Sequence, residues 1–208
     1  TATVNLRADT ATTPRHSIQV VLKARNSPPD FWRIVEQGIE LAAQEFNVHF
    51  EIQGPTNESD IDDQIDMLRD AIAKKPDAII LAAADFERLA PICLEANAAD
   101  IPLVILDSDV NHAAKTTFVG TDNYELGWKL GELVNKQLQP GERFGVVSHV
   151  KTVSTAIERE RGLMDSVKNA DVSLAEIRYC NGSMALAKEQ AMDIIRRNPD
   201  IRCMVGLN

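Results

Sequence analysis

Residues 77–109, DAIILAAADFERLAPICLEANAADIPLVILDSD, decide the fold. DAIILAA (77–83) is a continuous apolar run, as expected for a strand buried on both faces. FERLAPICLEANAAD (86–100) reads as a helix, with Pro91 near its first turn, where a missing N–H leaves no bond unmade. IPLVILDSD (101–109) is a second buried strand, and it ends in an acidic turn. A short strand, a helix and a short strand in succession make a βαβ unit, and such units build parallel sheets.

The same rhythm extends outward. Upstream, SIQVVLKA (17–24) reads as a strand followed by the loop RNSPPD. In FWRIVEQGIELAAQEF (31–46), Ile34, Val35, Ile39, Leu41, Ala42 and Phe46 form one helical face. VHFEIQG (48–54) alternates as a strand does. SDIDDQIDMLRDAIAKK (59–75) carries the stripe Ile61, Ile65, Leu68, Ile72 behind Ser59 or Asp60 as N-cap.

Downstream, TTFVGTDNYELG (116–127) is a short strand feeding a helix over 124–138. Strands over 143–149, 172–180 and 201–208 then alternate with helices over 155–169 and 184–198. The prediction is an α/β chain of two doubly wound parallel-sheet lobes. A flexible lead-in covers 1–16, an N-terminal lobe 17–122, and a partial C-terminal lobe 123–208. The second half supplies three strands and stops on a buried one, so its lobe is expected to be incomplete.

Composition narrows the function. The net charge is −9 over 208 residues, with the acidic excess concentrated before residue 124 and no Lys/Arg run. Nucleic-acid binding is therefore not expected. No stretch approaches the length of an apolar membrane span. The polar opening TATVNLRADTATTPRH fits a chain whose export signal has been removed. Cys93, Cys180 and Cys203 stand at wide spacings and read as three buried, unpaired thiols. A 2-1-3 strand order in the second lobe would put Cys180 and Cys203 on opposite sides of RFGVVSH. The four histidines are scattered, and no nucleotide loop, nucleophile elbow or metal-ligand cluster is present. Neither cofactor, metal nor catalysis is expected.

Seven stretches in order (NSPPDFW after a strand, GPTNESD after a strand, DAIILAA, IPLVILDSD, FVGTDNYELG, ERERG and PDIRCMVGLN) resemble the ribose-binding-protein group of sugar-binding proteins. The resemblance runs from about Ser17 to Asn208. It implies the periplasmic-binding-protein type I fold, whose two lobes close on a ligand and deliver it to an ABC importer. It also implies an extracytoplasmic monomer with a sugar or polyol as ligand and a membrane permease as partner. FVGTDN resembles the first crossing between lobes, which places a hinge at 120–124.

Ligands of open parallel sheets bind beyond the carboxyl ends of the strands. Lys23, Asn26, Phe31, Trp32, Asp107, Ser108, Arg159 and Asn208 lie in those loops and are the candidate ligand contacts. Phe31 and Trp32 match the family's paired stacking aromatics; alternatively both are core residues of the helix they begin. Asp107 matches the acid that takes two sugar hydroxyls; the alternative is a turn aspartate. Arg159 matches an arginine reaching over from the second lobe, whereas Glu158, Arg159, Glu160 and Arg161 could equally pair along a solvated face. Asn208 matches a strand-end asparagine. Asp122 and Asn123 are expected to hold hinge geometry.

The pattern departs from the family where Ala82, Pro29 and Gly182 replace two asparagines and an aromatic, which argues against ribose itself. Lys23 with DSD resembles autoinducer-2 receptors, and Lys23 with Arg159 would suit an anionic sugar. The same fold also serves as the effector domain of LacI-type regulators and as receptor-coupled sensors, which stand as the alternative function.

Overall fold

A computed structural model describes residues 16–25, 31–111 and 115–207. The expected lead-in, the candidates Asn26 and Asn208, and Pro29 lie outside the described residues. Eight parallel strands form two sheets. The first has the order β2-β1-β3-β4-β5, with β1 Ser17–Val21, β2 His49–Gln53, β3 Ala78–Leu81, β4 Leu103–Leu106 and β5 Thr117–Val119. The second has the order β7-β6-β8, with β6 Glu142–Ser148, β7 Val172–Tyr179 and β8 Ile201–Gly206. Helices α1 (Phe31–Phe46), α2 (Ile61–Ala73) and α3 (Ala90–Ala98) connect the first four strands. Helices α4 (Asn123–Gln137), α5 (Ser154–Val167) and α6 (Met184–Arg197) belong to the second sheet.

Strand alternation explains how the first sheet comes to be covered on both faces. Val21, Ile79, Leu81, Leu103 and Ile105 pack with Leu68 of α2 and Ile92 of α3. Val20, Leu22, Ile18 and Ile80 point the other way, onto Trp32, Val35 and Ile39 of α1. One helix cannot cover a whole sheet face. The expected α1 stripe is accordingly only partly used, because Ile34, Leu41 and Phe46 remain exposed. In the second lobe Phe144, Val146 and Val205 face Val134 of α4 and Leu163 of α5. Gly145 faces the opposite side, where α6 approaches so closely that a Cβ would lie 2.6 Å from Ile194 Cγ2.

Two expectations are corrected. Cys93 and Cys180 are buried, but Cys203 is only half-buried, because β8 is an edge strand with one neighbour. Asp60 does precede α2, yet its carboxylate accepts from Asn57 instead of capping the helix. The 2-1-3 order holds, so β6 separates the strands that carry Cys180 and Cys203, and all three cysteines are free.

Helices α4 and α5 meet backbone to backbone. A Cβ on Gly127 would lie 2.0 Å from Arg159 O, and one on Gly162 would lie 2.1 Å from Tyr124 O. Glycine is required at both positions by space alone. Gly162→Ala forces the helices apart and should cost about 1–3 kcal/mol, as overpacking does. At this chain length the melting temperature should fall by about 2–4 °C per kcal/mol. Gly38→Ala is the control. It sits in α1 with nothing within 4 Å of the added Cβ, and thermal denaturation should show it stabilised by about 0.5–1 kcal/mol.

Candidate functional site

The site lies where the carboxyl ends of both sheets meet. Gln64 braces the first-sheet side. It is fully buried on the apolar stripe of α2, and its Nε2 donates to Leu22 O (2.9 Å) and Ala82 O (2.8 Å). Its Oε1 accepts from Ala84 N (2.8 Å). One amide thus ties together the ends of β1 and β3, the strands between which the sheet order reverses.

Lys23 emerges from the end of β1 and is only 4% exposed. Its Nζ lies 3.2 Å from Asp107 Oδ2 and 3.5 Å from Glu58 Oε2. It also sits 5.5 Å from the Trp32 ring centroid, within reach of a cation–π attraction. Asp107 follows β4 with φ +60°, a left-handed conformation that aspartate tolerates better than most residues. Ser108 is fully buried and donates from Oγ to Asp107 Oδ2 (2.7 Å). These contacts hold the Asp107 carboxyl at the cleft, between Lys23 and Ser108.

The paired aromatics divide as adjacent helical residues must. Trp32 is 3% exposed, packs with Val20 and Leu22, and donates from Nε1 to Glu58 Oε1 at 3.0 Å. Phe31 meets it edge-on at 5.0 Å and stays 48% exposed, offering its ring to the outside.

The second lobe contributes Arg159. Of the four alternating charges, Glu158 and Arg161 pair with each other at the surface. Glu160 turns inward to Ser148 Oγ and Tyr179 Oη. Arg159 also turns inward, donating from Nε to Asn123 Oδ1 (2.8 Å) and from Nη1 to Leu207 O (2.7 Å). Burial lowers its guanidinium pKa, and Asp107 opposes that fall. Asp122 caps α4 by accepting from Glu125 N, and Asn123 donates to Thr121 O, so both hold the crossing.

Two residues that the sequence reading passed over are central. Glu58, in the β2–α2 loop, accepts from Trp32 and faces Lys23, and its Oε2 lies 2.6 Å from His149 Nε2 at the end of β6. Burial pushes the Glu58 carboxyl up, but His149, Lys23 and Trp32 together hold it at about 2. GPTNESD did point to the carboxyl end of β2, the only available signal. Two further hydrogen bonds lie beside this one between the lobes: Phe86 N donates to Thr152 O (2.8 Å) and Asp109 N to the Ser154 hydroxyl oxygen (2.6 Å).

Lys23, Arg159 and the His149 imidazole stand against Glu58 and Asp107. Asp109 is matched separately by Lys115 at 2.7 Å, and Asp85 is engaged by the amides of Glu87 and Arg88. Among the described residues no group of His, Cys, Asp and Glu could hold a metal ion, and no helix is long and apolar enough to cross a membrane.

Residues 18–208 match the family model described as periplasmic binding protein domain. The D-ribose/D-allose-binding protein of Pseudomonas aeruginosa is 27% identical over 211 residues, covering 98% of this chain and 65% of the relative. Galactofuranose-binding protein YtfQ of Escherichia coli is 30% identical over 132 residues, 61% of this chain and 41% of that one. The chain therefore spans less than two thirds of the length of these curated relatives. A sugar transporter from Clostridium phytofermentans superposes with a TM-score of 0.85 at 31% identity, over 92% of this chain and 71% of its own. An ABC transporter solute-binding protein from Agrobacterium vitis with bound D-fucose gives 0.84 at 32%, over 90% and 66%.

Replacing Gln64 with Ala strands two carbonyls and one amide in a dry interior. Leaving buried polar groups unpaired costs about 1–3 kcal/mol each, so Gln64→Ala should lower unfolding free energy by several kcal/mol in urea titration.

Proposed function

Because the chain belongs to the periplasmic binding protein domain family, we propose that it captures a small uncharged sugar between two lobes and presents it to an ABC importer. The observation that carries this reading is the gathering of Lys23, Asp107 and Arg159 at the cleft between the two sheets. Sugar hydroxyls both donate and accept, so a carboxylate set beside cations suits them. The half-exposed Phe31 ring beside them suits the apolar face of a pyranose or furanose. Lys23 already faces two carboxylates, which would repel an anionic sugar brought against it.

The relatives support the same reading by what they bind, namely ribose or allose, galactofuranose and D-fucose. In this proposal residues 17–122 and 123–208 act as the two lobes, and the crossing at 120–124 is the hinge. Ser108 keeps Asp107 oriented, and Trp32 backs Phe31. Asn26 and Asn208 complete the ligand contacts. The protein works outside the cytoplasm as a monomer, carries no cofactor and performs no chemistry on its ligand. Closure is driven by ligand because both lobes touch it only in the closed form.

A thermal-shift panel of pentoses, hexoses, polyols and sugar acids tests the proposal. A neutral sugar at one hundred times its Kd should add about 2.7 kcal/mol of stability, and sugar acids should give no larger shift. Asp107→Asn should weaken the bound sugar by about 10- to 100-fold in calorimetry, the worth of a hydrogen bond to a charged group. Preference for sugar acids, or unchanged affinity in the variant, would overturn it.

A further inference from the structure

Glu58 and His149 follow strands of different sheets, yet their side chains meet at 2.6 Å. The imidazole is buried, with 4% of its side chain exposed, and Glu58 has 14%. Such a pair is not a surface salt bridge that water can replace at no cost. Breaking it by opening the cleft exchanges a dry, charge-assisted bond for two hydrated ions, so its strength depends on both charges being present. Neither residue is needed to explain how Lys23, Asp107 and Arg159 meet a sugar.

We propose that Glu58 is a positioning residue that latches the first lobe to His149 of the second and makes cleft closure pH-dependent. The same carboxylate holds the Trp32 indole at 3.0 Å, so the latch also sets the aromatic wall of the site. The groups facing the pair are Lys23 from the end of β1, with Asp107 from β4 behind it, and Cys180 from the end of β7. Nε2 of His149 is held by Glu58, while the buried Nδ1 has only the Cys180 thiol to interact with. The inference rests on the reading that the lobes close over a ligand.

The direction follows from the two groups. Burial lowers the His149 pKa, but the Cys180 thiol and the Glu58 carboxylate outweigh burial and Lys23, so the imidazole lies above its ordinary 6.5. Its contribution is complete below 6.5 and is lost as pH rises through the elevated value. Glu58 is depressed from 4.5 to about 2, so its contribution is complete above 4.5 and is lost as pH falls through about 2. The latch is strongest between these limits and loosens as pH rises through the raised His149 value.

The test begins on the ligand-free 208-residue chain. NMR titration should show the His149 imidazole titrating above its ordinary value, and Glu58→Gln should bring it down. Small-angle scattering should show the chain expanding between pH 6 and pH 9, with no such change in His149→Asn, which keeps a neutral donor. An imidazole that titrates alike in both proteins, or a chain equally compact at both pH values, would overturn the latch. Where a neutral sugar binds, its affinity should fall about fivefold from pH 6 to pH 9, as when a charge-assisted bond becomes neutral, and stay flat in His149→Asn. Wild-type affinity that does not change with pH would also overturn it. If no sugar binds while the imidazole and scattering results hold, the sugar reading fails and the latch stands.

Discussion

A lysine ammonium with 4% of its surface exposed cannot stand alone in a protein interior, and the rest of the cleft follows from how Lys23 is satisfied. It sits at the end of β1, which lies beside β3 where the strand order reverses. Asp107 must come from β4 and Glu58 from the β2–α2 loop to neutralise it. Once those two carboxylates are fixed, their other contacts are fixed as well. Ser108 orients Asp107, while Trp32 and His149 take the remaining positions around Glu58. One buried charge thereby organises four loops from two sheets.

The second lobe meets this arrangement with a stiff part. Gly127 and Gly162 let α4 and α5 lie against each other with no side chain between their backbones at the closest points, and Gly131 makes room for the Ser166 side chain. Arg159 sits on α5 at that contact and bonds to Asn123, the first residue of α4. Any rotation at the crossing before Asn123 therefore carries Arg159 with it as part of one body. Side chains on a loop would lose that motion in local rearrangement.

The architecture was legible because period-2 and period-3.6 patterns are properties of long segments. DAIILAA, IPLVILDSD and RFGVVSH each announce a strand, and their neighbours announce helices. Lys23 and Asp107 could be proposed because strand ends are where a parallel sheet binds, and Arg159 only because ERERG resembles the family's arginine segment. Glu58 and His149 escaped because a loop carries no periodicity, and because their partnership joins residues 91 positions apart across two lobes. Gln64 escaped for a different reason. A lone glutamine on an apolar stripe reads as a surface position until the three main-chain atoms it binds are known. The exposed Ile34, Leu41 and Phe46 show the converse limit, since periodicity reports which face is apolar and not how much of it a neighbour covers.

Gln64 binds only main-chain atoms, the carbonyls of Leu22 and Ala82 and the amide of Ala84. Its hold on the frame is therefore indifferent to which side chains those positions carry. Ala82 has no polar side chain to offer, and Gln64 holds it by its carbonyl. A scaffold secured in this way separates inheritance of shape from inheritance of taste. Substitutions at the strand ends can retune what is held while the loops keep their places, which is how one architecture diversifies its diet without refounding its core.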